Sequence, residues 1–312
     1  MAKILDLNLS PETNINITWM GNATVGIKSG SRGIVIDPYV HPKTEGYQYV
    51  FCTHEHYDHS YPETVKYLVE ANSFRKLIIP RSCLYPSTRF FSRQLAFLEP
   101  EQYEILSPKY YDRESTRAGS TEYVGHSRSW SDLEGSIFSG PNNFCEDDWD
   151  VDAFEMVGED PEVPFPIEGL MPQLAYFVRD LSSGITFYHF GDNHWTYSDM
   201  GKIKGKLDIM LLPIGKMGLE EDEKAIKYMS PKIIIPIHWR DNVEDYPIPK
   251  NYETYEPPDQ AIRGYHLPHP GDPPYPGQPE SPYAYIKELS PIAKRNGSKL
   301  VQIRAGETYD IR

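Results

Sequence analysis

Three imidazoles and a carboxylate crowd into the short run Thr53-His54-Glu55-His56-Tyr57-Asp58-His59, directly after an apolar, strand-like segment. Imidazoles at His54 and His56, spaced i, i+2, leave a strand end on the same side. The adjacent Asp58 and His59, on the turn that follows, can serve a second ion, so the crowding points to a pair of divalent cations. With ten His in the chain, a chance His-x-His-x-Asp-His is expected on the order of 10⁻³ times. The run is therefore read as metal-binding rather than as ordinary surface or core histidines.

Two later segments end in the same way. Phe187-Tyr-His-Phe-Gly-Asp192 reads as a strand closing on Gly191-Asp192, and Ile233–His238 as a strand closing on an imidazole. Each donor thus stands at the C-terminal end of a strand, the edge where ligands gather in open α/β sheets. Neutral imidazoles with carboxylates suit Zn²⁺, Mn²⁺ or Fe²⁺. No G-x-S-x-G is present, so the chemistry implied is attack by a metal-activated hydroxide rather than by a serine.

The elements that must position these donors follow from apolar patterning and turn residues. Ile15–Trp19, Ala23–Lys28 and Gly33–Asp37 form a meander, with Gly21 and Gly30–Gly33 as its turns. Tyr47–Thr53 is a buried strand that delivers His54, and Pro62 opens a helix running to about Asn72. Strands are expected at Lys76–Pro80, Leu174–Arg179, Ile185–Phe190, Leu207–Leu212, Lys232–Ile237 and Lys299–Arg304. Helices are expected around Ser87–Leu98, at Glu220–Met229 and at Tyr283–Arg295. The stretch of about 109–150 lacks periodicity and reads as an insertion. Nine prolines between Tyr255 and Pro282 read as an ordered surface wrap. No repeat or linker divides the 312 residues, so a single domain over 1–312 is expected.

Composition narrows the partners. A net charge of −14 without a basic stripe disfavours nucleic acid. Cys52, Cys83 and Cys145 are widely separated, which argues against a disulfide framework and fits a reducing, cytoplasmic setting. No apolar run approaches the 18 or so residues of a membrane span, and Met1–Asn8 lacks an export signal's apolar core.

Taken with Trp19-Met-Gly-Asn-Ala-Thr24 and Val35-Ile-Asp-Pro38, these motifs resemble those of metallo-β-lactamase-superfamily hydrolases. The resemblance implies an α/β (α+β) fold, a four-layer αββα sandwich. Within the superfamily, Tyr188–His194, Ile234–His238 and Val301–Glu307 look most like the L-ascorbate-6-phosphate lactonases. The resemblance implies that His54 and His56 bind one metal and that Asp58, His59 and His238 bind the other, with Asp192 bridging. Asp58 would also orient the hydroxide. The superfamily commonly places a further His before the bridging Asp. Here that interval holds only His126, in the insertion, and His189, whose alternation in its strand suits packing behind the site. Glu155 is the other candidate for the remaining ligand, and an oxygen there would favour Mn²⁺ over Zn²⁺.

His194 is read either as a substrate contact and proton donor or as a solvent-exposed loop residue. Lys216 and Arg240 are read either as anion contacts or as solvated charges. The leading expectation is a lactonase acting on a small anionic substrate such as a phosphorylated sugar-acid lactone, with two ions of Mn or Zn, less readily Fe. A phosphodiesterase or phospholipase-like hydrolase on the same metals is the alternative. A non-catalytic metal-binding protein is the reading from another class, to be told apart by a saturated metal site without an exchangeable position. Family resemblance also implies a homo-oligomer.

Overall fold

The computed structural model describes residues 3–7, 15–54, 58–80, 83, 98–106, 149–156, 173–191, 203–214, 218–239 and 282–312. In chain order their strands are β1 (Lys3–Leu5), β2 (Ile15–Gly21), β3 (Thr24–Ser29), β4 (Arg32–Ile36), β5 (Tyr49–Phe51), β6 (Lys76–Pro80) and β7 (Tyr103–Leu106). They continue with β8 (Trp149–Met156), β9 (Gln173–Asp180), β10 (Thr186–His189), β11 (Ile209–Pro213), β12 (Ile233–Ile237), β13 (Lys299–Leu300) and β14 (Glu307–Ile311). The helices are α1 (Pro62–Val69), α2 (Leu219–Met229) and α3 (Pro282–Arg295).

Two sheets result, one ordered β1-β14-β2-β3-β4-β5-β6-β7 and the other β13-β12-β11-β10-β9-β8. Period-two alternation decides which side chains enter the sandwich. In the first sheet Ile34, Ile36, Tyr49, Phe51 and Ile78 join the core shared with the second sheet. Their neighbours Val35, Val50, Leu77 and Ile79 instead pack with Val65 and Leu68 of α1. In the second sheet β10, β11, β12 and β13 run parallel, and the connections from β11 to β12 and from β12 to β13 cross over through α2 and α3, which pack against each other. Ile226 and Met229 of α2 and Tyr285, Leu289 and Ile292 of α3 are buried there. The layers are therefore helix, sheet, sheet, helices, the expected α/β sandwich.

α1 begins with Pro62 at its first turn, where the missing N–H costs nothing. α2 carries Glu220, Glu221 and Asp222 in its first turn, matching the helix dipole. It ends on Ser230 in the left-handed region, at φ 52°.

Beyond the unexpected short strands β1 and β7, the fold departs from expectation at two places. Lys299–Arg304 is not one strand: only Lys299 and Leu300 pair with β12, and a separate β14 pairs antiparallel with β2 in the other sheet. The chain must cross the sandwich between them, and Gly306, at φ 80°, makes the turn. Trp149 and Asp150, expected to close the insertion, instead open β8, paired with β9 over its whole length. Trp149, Val151 and Ala153 are buried at period two, a pattern that the surrounding acidic composition conceals. The rest of 109–150, the helix expected at Ser87–Leu98 and the Pro-rich wrap lie outside the described residues, apart from Leu98 and Pro282.

Candidate metal centre

Parallel pairing of β4 with β5 sets Ile36 opposite Phe51, so Asp37 and the Cys52–His54 segment emerge side by side at one edge. The Asp37 N–H donates to Phe51 O at 2.8 Å, which holds the two strand ends together. From the second sheet, Tyr176 Oη donates to Cys52 O and Leu174 N–H to Thr53 O, at 2.8 and 2.9 Å. Gly191, just past β10, sits at φ 72°, and a Cβ there would lie 2.8 Å from Thr53 Oγ1. Only glycine allows this approach of the two sheets.

At this edge Asp58, His59 and His238 bring one donor atom each within 4.8 Å of one another, and all three residues are buried. Asp58 Oδ2 lies 3.6 Å from His59 Nε2 and 3.7 Å from His238 Nε2. Donors held ~2.1 Å from one tetrahedral ion would stand about 3.4 Å apart. Two imidazoles and a carboxylate at these separations fit a divalent cation in both geometry and chemistry. His54 completes the described cluster, its ring centroid 4.0 Å from that of His59.

Asp37 sets how these rings present themselves. Its Oδ1 accepts Thr53 N–H at 2.7 Å, and its Oδ2 accepts Thr53 Oγ1–H at 2.9 Å and His59 Nδ1–H at 2.7 Å. Because the Thr53 hydroxyl spends its one proton on Asp37, it accepts from His54 Nδ1–H across 3.0 Å. His54 and His59 thus carry their protons on Nδ1 and turn Nε2 lone pairs forward. A carboxylate behind an imidazole fixes tautomer and orientation in this way at metal sites.

His189 lies behind the cluster, as its alternation suggested. It accepts Gly191 N–H at Nδ1, 3.0 Å, and donates Nε2–H to Ala23 O at 2.8 Å. Accepting at Nδ1 requires the neutral ring, because the imidazolium has no lone pair there. Burial holds its pKa below the ordinary value, outweighing the nearby Asp37. Burial also pushes the Cys52 thiol well up, so this cysteine offers no thiolate nucleophile.

Of the sequence candidates, the structure brings His54, Asp58, His59 and His238 together. His56, Asp192, His194, His126, Lys216 and Arg240 lie outside the described residues, as does the side chain of Glu155 on β8. Sequence reasoning gave no role to Asp37 or Thr53. Their signal was present: each polar residue directly ends an apolar strand at the same edge.

Residues 16–238 match the family described as the beta-lactamase superfamily domain. A UPF0173 metal-dependent hydrolase of Archaeoglobus fulgidus is 27% identical over 243 residues, covering 72% of this chain and 83% of that protein. A second such hydrolase, from Pyrococcus furiosus, is 39% identical over 71 residues, 21% of this chain and 30% of that one. Among solved structures, the metallo hydrolase Igni18 of Ignicoccus hospitalis superposes with a TM-score of 0.51 at 15% identity, covering 95% of this chain and 97% of its own. CmlA of Streptomyces venezuelae, a diiron beta-hydroxylase, gives 0.56 at 12% identity over 96% of this chain and 55% of its own. At these identities the structural likeness shows the fold alone.

Proposed function

This chain belongs to the beta-lactamase superfamily domain family, and on that premise we propose that it is a metal-dependent hydrolase of small anionic substrates. The observation that carries the proposal is the convergence of Asp58 Oδ2, His59 Nε2 and His238 Nε2, with His59 oriented from behind by Asp37. Relatives named as metal-dependent hydrolases support the same reading.

His54 and His56 would hold one divalent ion, and Asp58, His59 and His238 the other, with Asp192 bridging and Glu155 or His126 completing the first. A mixed imidazole and carboxylate set suits Mn²⁺ or Zn²⁺. When bound, such an ion would supply Lewis acidity, lowering the pKa of water from ~15.7 to about 7. Asp58, whose side chain is the partly exposed member of the cluster at 12%, orients the attacking water and holds its proton. His194 protonates the departing oxygen. Lys216 and Arg240 receive the anionic group, which a chain of net charge −14 must otherwise repel.

The finer reading is a lactonase acting on L-ascorbate 6-phosphate or a similar phosphorylated lactone. It rests on the motifs Tyr188–His194, Ile234–His238 and Val301–Glu307. The test follows loss of the lactone's ultraviolet absorbance with Mn²⁺-loaded protein, chelated protein and His54→Ala. Turnover that needs metal and disappears in His54→Ala is expected. Retained activity in that variant would overturn the metal mechanism. No turnover in protein shown to hold two ions would discard the lactonase reading and leave the hydrolase.

A further inference from the structure

The turn between β2 and β3 holds a residue that touches ligands from both sheets. Asn22 is fully buried and sits at φ 51°, in the left-handed region that asparagine tolerates better than most side chains. Its Nδ2 donates to the backbone carbonyl of Asp58 at 2.8 Å and to Asp58 Oδ2 at 3.3 Å. Oδ2 is also the oxygen that faces His59 and His238. The backbone of Asn22 engages the other sheet: it accepts His238 N–H at 2.7 Å and donates to Trp239 O at 3.2 Å, an antiparallel bridge between the sheets. Trp19 Nε1–H closes on the same Asn22 carbonyl at 2.6 Å, and the Trp19 ring stacks on Trp239 at 4.8 Å.

The orientation of the carboxamide is forced. Turned over, its Oδ1 would face two acceptors on Asp58 instead of meeting them with N–H. The cost of the observed orientation is visible on the other side, where Asn22 Oδ1 is buried without a hydrogen-bond partner. Asn22, Asp37 and His238 are three of the four non-glycine residues at positive φ among those described. The fourth, Ser230, is an ordinary helix cap. Sparsely populated backbone is thus concentrated at this edge, where surrounding contacts must hold it.

We propose that Asn22 is a positioning residue of the metal centre: its carboxamide fixes the Asp58 carboxylate while its backbone fixes His238, so one turn locks ligands from two sheets to each other. The proposal rests on the metal-dependent reading given above. Two roles are combined in Asn22, and they are separable. Asn22→Gly keeps the left-handed backbone and the bridge to His238 and Trp239 but deletes the amide. Asn22→Asp keeps shape and backbone but sets an oxygen where Nδ2 met Asp58.

The test titrates metal-free wild type, Asn22→Gly, Asn22→Asp and His59→Ala with Co²⁺, reading the visible d–d bands and the dissociation constant, beside thermal melting of each metal-free protein. Asn22→Gly is expected to bind Co²⁺ about 10-fold to 100-fold more weakly, with an altered band envelope. Asn22→Asp should bind more weakly still. The metal-free melting of Asn22→Gly should change little, because the deletion also removes the unsatisfied buried oxygen. Wild-type affinity and spectrum in Asn22→Gly, or tighter binding in Asn22→Asp, would overturn the role of Asn22 and leave the metal site standing. A lowered melting temperature with unchanged Co²⁺ binding would assign Asn22 a purely structural role and also overturn it. Failure of wild type to bind, with His59→Ala indistinguishable from it, would remove the metal reading itself.

Discussion

Asp37 and Asp222 are both carboxylates with no exposed surface, and they stand in opposite halves of the molecule. Asp37, at the edge of the first sheet, receives three donors, from Thr53 N–H, Thr53 Oγ1–H and His59 Nδ1–H. Asp222, where α2 meets α3, receives Tyr285 Oη–H at 2.5 Å, while its Oδ1 is buried without a hydrogen-bond partner. Burial pushes the Asp222 carboxyl up to about 7, with the Glu221 charge adding to the effect and the Tyr285 hydrogen bond opposing it. The contrast teaches what the surroundings are for. Around Asp37 they form a network that aims imidazoles. Around Asp222 they form one contact between helices, and the charge there is a burden on the fold.

The largest expected effect comes from dismantling the network. Asp37→Ala leaves the Thr53 N–H buried without its acceptor and frees the His59 ring, and it should cost at least about 3 kcal/mol in urea unfolding. Metal affinity should fall together with stability, whereas a variant that lost neither would show that Asp37 is only a strand terminus.

Gly191→Ala attacks the same network from the second sheet. Its Cβ would fall 2.8 Å from Thr53 Oγ1 at a backbone φ of 72°, so a loss of about 2–4 kcal/mol is expected. A crystal structure of the variant should show Thr53 displaced from Asp37; an undisturbed Thr53 would refute the close approach.

Asp222→Asn should act in the opposite direction. The folded-state carboxyl titrates near 7 against an ordinary value of 3.8, so the folded protein holds a proton that the unfolded chain has released between those values. The contribution to stability is fully present below about pH 3.8 and is lost as pH rises through 7. Asparagine keeps an acceptor for Tyr285 and removes the charge, so the variant should be more stable by about 1–3 kcal/mol at pH 8 and nearly equal to wild type at pH 4. Urea midpoints at the two pH values would decide this, and a pH-independent difference would count against it.

The smallest effect is expected from Tyr285→Phe, which deletes the Tyr285 hydrogen bond to the Asp222 carboxyl. A loss of about 1 kcal/mol is expected, larger at pH 8 than at pH 4, because the hydrogen bond favours the charged form. An equal loss at both pH values would mean that only packing was removed.

Much of the fold was legible because apolar runs bounded by turn residues locate strands directly. The meander, the strand before His54, α2 and α3 all lie within a few residues of their expected bounds. The concealed elements are those without an apolar surplus. β7 is four residues long, β8 intersperses Asp150 and Asp152 between Trp149, Val151 and Ala153, and β1 is a three-residue edge strand whose partner β14 comes from the far end of the sequence.

For the site, the sequence by itself determined which donors exist and that His54, Asp58 and His59 must lie near one another, because they are covalently close. That His238 stands 3.7 Å from Asp58, and that Asn22 reaches both, was decided only by the tertiary structure. Side-chain spacing fixes the geometry within a turn or a strand end. The distance between two strand ends in different sheets depends on how the sheets stack, which here follows from the bridge between Asn22 and Trp239 and from the absence of a Cβ at Gly191. Asp37 and Thr53 were legible only as polar strand ends, and their roles were not, for the same reason: a carboxylate orients an imidazole only once parallel pairing has set their strands side by side.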